Sequence, residues 1–205
     1  MSTVLTINPQ NPQLRLIRRV VEVFQNGGVV SYPTDTVYGL GCDIFNKKAI
    51  QRIHQIKGKP ENKPFSFLCP DMTDLSSYAR VSNYAYKTMR RLLPGPYTFI
   101  LEGSREVPKM MLTKRKTVGI RIPNHPLALT LLAELGHPLL TTSAADSQGN
   151  TLPTPWEIQE ALGHQVDMVI DGGPVPGIVS SIVSLLDDVP EVLRVGAGPV
   201  DEFMT

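Results

Sequence analysis

The stretch YPTDTVYGLG, Tyr32 to Gly41, decides how the rest of the chain is read. It follows GGVVS, where Val29 to Tyr32 reads as a short apolar strand behind a glycine stop. A plain connector would use glycine, proline and a few solvated charges. This one instead offers threonine and tyrosine hydroxyls and one carboxylate, then a glycine pair, all close to a strand end. In an α/β sheet that is where ligands bind.

The segments on either side alternate in type. Asn11-Pro12 reads as a helix start, with proline at the first helical position. Leu14, Ile17, Val20, Val21 and Phe24 follow at helical spacing, and QNGG stops the helix. A second helix spans Lys47 to Ile56, with Ile50, Ile53 and Ile56 on one side and Gly58 and Pro60 at its end. Ser82 caps a third, running to Leu93 before PGP. PLALTLLAELG is an apolar helix, and Thr154, Pro155 and Glu157 form a capping-box start. Strands are expected at FSFL (Phe65 to Leu68), YTFILEG, TVGIRIP, PLLTTSA, VDMVIDGG, SSIVSLL and EVLRVG. Several connections are short enough for antiparallel pairing, so the expected fold class is α/β: a twisted, mixed, open sheet covered by helices. No repeat or linker divides the 205 residues, which are read as one domain.

No apolar run approaches the roughly 20 residues needed to span a membrane, and the N-terminus lacks the order of a secretory signal. Cys42 and Cys69 form no CxxC pair, and the four histidines give no zinc spacing. A reducing, cytoplasmic location is the expectation. The net charge of +1 hides an asymmetry. Lys47 to Arg121 holds sixteen lysines and arginines against five acids, a net +11. From residue 122 onward Arg194 stands alone against eleven acids, a net −10. Such polarity suits an anionic ligand or nucleic acid at the basic part. It equally suits two solvated surfaces that face each other.

Neither GxxxxGK[ST] nor GxGxxG is present, and no metal cluster or nucleophile–base pair is visible. The candidates are dispersed. Lys57 and Lys59 flank Gly58 at a helix C-terminus, where cations suit the helix dipole or hold phosphate. Arg121 lies between Ile120 and Ile122 in a strand, so it points to the opposite face, either to pair with an acid or to grip a carboxylate or phosphate. TTSAAD, Thr141 to Asp146, again ends a strand in hydroxyls. DGGPVPG followed by SSIVS is either a pair of tight turns or a close backbone approach to a ligand. Arg194 is placed either for an ion pair or for an anion.

YPTDTVYGLG, KGKPENKP, LPGPYTFIL, VGIRIPNHP, TTSAAD, DGG…SSIVSL and LRVGAG, in this order, resemble the YrdC/YciO family, which includes the threonylcarbamoyl-AMP synthases. The similarity is closest to the YciO branch and covers about residues 10 to 197. It implies a YrdC-like fold, with the sheet around a deep, positively charged hollow, and affinity for double-stranded RNA or tRNA and for nucleotide. In the synthases, threonine, bicarbonate and ATP give threonylcarbamoyl-adenylate and pyrophosphate, which leads to modification of adenosine 37 in tRNA. By resemblance Thr34, Arg121 and Ser180 contact the threonine. Lys57, Lys59, Ser143 and Arg194 line the nucleotide and phosphate path, with no side-chain nucleophile and no metal cage. ATP is expected as a substrate carrying Mg2+, with no tightly bound cofactor, and the protein as a monomer or weak dimer.

Two triplets depart from the synthases. Lys57-Gly58-Lys59 stands where they have KGR, and a lysine lacks arginine's planar fork. Ser143-Ala144-Ala145 stands where they have SAN, and alanine offers no side-chain hydrogen bond. The alternative to catalysis is an RNA- or ribosome-associated binding factor with a degenerate ATP site.

Overall fold

The ring of Tyr32 accounts for the glycine pair that follows it. In the computed structural model, which describes residues 2–58, 65–108 and 116–204, Tyr32 closes strand β2 and is fully buried. Strand β1 spans Thr3–Thr6, β2 Val30–Tyr32 and β3 Gly39–Asp43. β2 and β3 pair antiparallel, with Tyr32 opposite Gly39. A Cβ on Gly39 would lie 2.7 Å from the Tyr32 ring, and one on Gly41 2.8 Å from the ring and from the Leu140 carbonyl. The two glycines let the ring lie flat on the neighbouring strand, an aromatic covering of strand glycines. β3 is therefore a strand where the sequence suggests only a loop.

The rest of the sheet is built from short strands: β4 Ser66–Leu68, β5 Ala79–Arg80, β6 Tyr97–Gly103, β7 Thr117–Arg121, β8 Leu139–Ser143, β9 Met168–Asp171, β10 Ser181–Ser184 and β11 Glu191–Arg194. Their order is β1-β9-β2-β3-β8-β4-β7-β6-β10-β11, with β5 paired to β6. The sheet is open and mixed. The β1–β9, β9–β2, β4–β7 and β6–β10 pairs are parallel, and the other neighbours antiparallel.

Among the described residues six α-helices cover it: α1 Leu14–Gln25, α2 Lys47–Lys57, α3 Met72–Tyr78, α4 Asn83–Leu92, α5 Pro126–Leu135 and α6 Pro155–Leu162. Strand side chains alternate between faces, and the two faces are packed unequally. One carries Leu40, Cys42, Phe67, Phe99, Ile120, Leu140 and Val183, which pack with apolar residues of α2, α3, α4 and α6. On the other, Val30, Tyr32, Leu68, Leu139, Met168 and Ile170 pack against α1 and α5. Helices α1 and α5 thus cover β1, β9, β2 and the ends of β8 and β4. The same face of β7, β6 and β10 presents Gly119, Arg121, Thr98 and Ile182 outside that cluster.

Most element readings hold, including the Ser82 cap of α4 and the capping box of α6. Gly58 ends α2 with φ +52°. Helix α1 is corrected: it starts at Leu14 with Gln13 as an N-cap that makes no side-chain bond. The expected N-terminal signal is used upstream, where Asn8 Oδ1 accepts from the Gln10 and Asn11 amides. β1, α3 and β5 were not expected; they are short and lack a full period of alternation. Cys42 and Cys69 are both buried. Among the described residues no helix is long and apolar enough to cross a membrane.

Candidate functional site

The uncovered part of the sheet face forms a cavity of about 140 Å³. Thr34, Gly39, Ser66, Thr98, Arg121, Thr141, Ser143, Ser180 and Arg194 are among the groups that line it. Five of the seven expected site residues therefore converge on one hollow: Thr34, Arg121, Ser143, Ser180 and Arg194. Lys57 reaches its edge, donating from Nζ to the Ser143 carbonyl at 3.1 Å. Lys59 lies outside the described residues.

Each group is placed by its element. Thr34 sits in the β2–β3 turn, where its Oγ1 donates to the Val37 carbonyl at 2.6 Å and accepts from the Thr36 amide at 3.2 Å. This local hydroxyl turn fixes residues 34–37 without regular structure. Tyr32 Oη donates to Thr141 Oγ1 at 2.7 Å, which orients a cavity hydroxyl from beneath. Tyr38 Oη donates to the Gly173 carbonyl at 2.7 Å and accepts from the Gly172 amide at 3.2 Å. Tyr32 thus positions a cavity hydroxyl, and Tyr38 fixes the Gly172–Gly173 turn. Burial pushes the Tyr38 phenol up to about 12, and Tyr32 higher still for the same reason, so both remain protonated donors.

The cations differ in how they are committed. Arg121 is buried in β7, an interior strand, and its Nη2 donates to Asp35 Oδ1 at 2.5 Å. It therefore pairs with an acid, the first of its two sequence readings, and it also lines the cavity. Arg194 donates from Nε and Nη2 to the Ser180 carbonyl at 2.9 and 2.7 Å, and from Nη2 to Ser180 Oγ at 3.2 Å. Ser180 Oγ also lies 2.8 Å from Thr98 Oγ1. Among the described residues Arg194 has no carboxylate partner. Burial, and then the nearby Arg121 charge, pull its pKa below the usual arginine value. Lys57 is likewise lowered by burial, with Asp146 acting in the opposite sense. Asp146 directs its carboxylate to its own loop, accepting from the Gln148 and Asn150 amides and from Asn150 Nδ2. The local balance is two arginines and a lysine against Asp35 and Asp146, a net positive charge that favours an anion.

The spacing of LRVGAG is explained by the same wall. A Cβ on Gly196 would lie 2.3 Å from the Val179 carbonyl, and Ser181 Oγ accepts from the Gly196 amide and donates to the Gly198 carbonyl. This loop fastens Ser180 and Ser181 beneath Arg194. Sequence reasoning missed Ser66 and Thr98, whose only signal was a small hydroxyl on the face opposite large apolar neighbours, whereas Thr141 falls in the hydroxyl-rich strand end it had singled out. It missed Asp35 as the partner of Arg121, and His125 as the N-cap of α5. The His125 imidazole is kept below its ordinary pKa by burial, against the pull of Asp35.

The charge split has a mixed outcome. Arg52 pairs with Asp167 and Arg91 with Glu202, so some of the basic segment is matched by the acidic third of the chain. The basic segment does not as a whole line the hollow: α4, with Lys87, Arg90 and Arg91, packs on the other face of the sheet.

A family model described as telomere recombination and named for Sua5, YciO and YrdC matches residues 22–196. The YciO protein of Escherichia coli strain K12 is 44% identical over 206 residues, covering 100% of both chains. The crystal structure of E. coli YciO superposes with a TM-score of 0.96 over 100% of each chain. A threonylcarbamoyl-AMP synthase of Vibrio vulnificus strain YJ016 is 34% identical over 159 residues, covering 76% of this chain and 86% of its own. P. abyssi Sua5 complexed with L-threonine is 28% identical with a TM-score of 0.92, over 98% of this chain and 59% of that one.

Proposed function

The chain belongs to the Sua5/YciO/YrdC family, and from that premise we propose that its cavity binds a small amino acid, in the first instance threonine, beside the phosphates of ATP. The reaction is then formation of threonylcarbamoyl-adenylate from threonine, bicarbonate and ATP, with pyrophosphate released, in the service of tRNA modification. The observation that carries this reading is the convergence of Thr34, Arg121, Ser180, Ser143 and Arg194 on one hollow. They arrive from the β2–β3 turn, β7, the approach to β10, β8 and β11.

The residue types suit the chemistry. The carboxylated amine attacks the α-phosphate, so negative charge gathers at one place. Arg121 would hold the amino-acid carboxylate, with Thr34 and Ser180 on its other groups. Arg194 and Lys57, which have no acid partner among the described residues, would face the phosphates. No side-chain nucleophile is needed, because alignment and fixed positive charge lower the barrier. Magnesium enters with ATP as part of the substrate.

A second reading is a binding factor for structured RNA that has lost the synthase step. Ala145 favours it. This alanine is buried and bridged to Thr151, and it offers no side-chain hydrogen bond where the synthases have asparagine. Release of pyrophosphate from ATP, measured with and without threonine and bicarbonate, separates the two. Release that needs both co-substrates supports catalysis. Background release from folded protein rejects catalysis and leaves binding.

A further inference from the structure

Asp35 is the acid of the β2–β3 turn, and neither the family resemblance nor the cavity lining gives it a role. Its Oδ1 accepts from Arg121 Nη2 at 2.5 Å, and the two side chains are 12% and 8% exposed. A carboxylate and a guanidinium commonly satisfy each other through two parallel bonds. Here one is made. Asp35 Oδ2 and Arg121 Nε are both buried without a hydrogen-bond partner among the described residues. Buried polar atoms left in this state are rare, and each calls for an explanation. The pair is one bond short on each side, with an acceptor and a donor of opposite charge left over beside Arg121, a residue that lines the cavity.

The orphaned atoms discriminate between ligand chemistries. A ligand bringing only a carboxylate to Arg121 would set its charge against Asp35 at close range. A ligand with an ammonium on the carbon next to its carboxylate offers a donor for Asp35 Oδ2 and an acceptor for Arg121 Nε together. We propose that Asp35 is the specificity-determining residue that selects α-amino acids, bound as zwitterions, over the same acids without the amine. The proposal rests on the amino-acid reading of the cavity given above.

The test compares L-threonine with 3-hydroxybutyrate, which keeps the carboxylate and hydroxyl but lacks the amine. Calorimetric titrations are made on the wild-type protein and on Asp35→Asn. The wild type is expected to prefer threonine by about tenfold or more, the scale of one charge-assisted hydrogen bond. Asp35→Asn should weaken threonine, tighten 3-hydroxybutyrate and remove most of the preference. Should Asp35→Asn not fold, Asp35→Ser, which leaves room for water at Arg121, carries the same comparison. Threonine binding with the preference intact in the variant overturns the role of Asp35 and leaves the function standing. A wild type without the preference overturns it with no variant needed. A wild type that binds neither compound overturns it together with the function it rests on.

Discussion

Tyr38 shows how residues that look like ligand groups in the sequence act as scaffolding. Its hydroxyl both donates to and accepts from the Gly172–Gly173 turn. Tyr38→Phe removes both bonds, and the expected cost is about 1–2 kcal/mol. Thermal unfolding would read this as a fall of roughly 2–8 °C for a chain of this size; an unchanged midpoint would mean that solvent replaces both bonds. Lys57 gives a pH prediction. Burial lowers its folded pKa below its unfolded value, so just under the usual lysine range the unfolded chain binds more protons. Stability therefore rises with pH across that window. A bound phosphate offsets the burial and draws the proton back. Nucleotide binding measured just under the usual lysine range should accordingly take up protons, seen as a dependence of the binding heat on buffer ionisation. Lys57→Met should lose this uptake, and its persistence in the variant would place the titrating group elsewhere. The residues that bring charge were legible: Arg121 by its position between two isoleucines, Arg194 by its isolation in an acidic third. Asp35 was not, because the pairing of a turn residue with one 86 positions away leaves no local pattern.

At the scale of elements, the glycine pair of β3 is the strongest constraint. Gly41→Ala would push a methyl onto the Tyr32 ring and the Leu140 carbonyl, and overpacking of this kind costs about 1–3 kcal/mol. The clash falls between β2, β3 and β8, so the denaturant midpoint should drop and threonine affinity should fall with it, since Thr141 depends on Tyr32. A stable variant with unchanged affinity would show that the ring can move aside. Thr154→Ala is the contrasting case. It breaks the capping box of α6 for about 1 kcal/mol, without change at the cavity. Helices with caps and long apolar periods were readable from the sequence. β3 was not, because a strand with two glycines carries no alternation; its partner's aromatic ring supplies the packing. α1 was read two residues too long because Asn11-Pro12 matched a start signal, whereas residues 8–11 form a turn closed by Asn8 upstream of the helix.

At the scale of the molecule, the site exists because the sheet is wider than its second helix layer. Helices α1 and α5 cover one half of a face, and the hydroxyls and arginines of the other half are left to line the cavity. The sequence could show which strands carried polar residues but not which half the helices would leave bare, since that follows from strand order. The proposed RNA affinity belongs to this scale too. If it rests on phosphate contacts by the basic segment, it should weaken steeply between low and moderate salt; affinity that does not change would mean that backbone charge is not the basis. The central claim is that this half-sheet hollow is where an amino acid and a nucleotide meet. It is tested most directly by a crystal structure of the protein with L-threonine and a non-hydrolysable ATP analogue. The account predicts the threonine carboxylate within hydrogen-bonding distance of Arg121, its amine toward Asp35, and the phosphates along Arg194 and Lys57. Threonine bound away from Arg121, or a nucleotide bound outside the cavity, would contradict it.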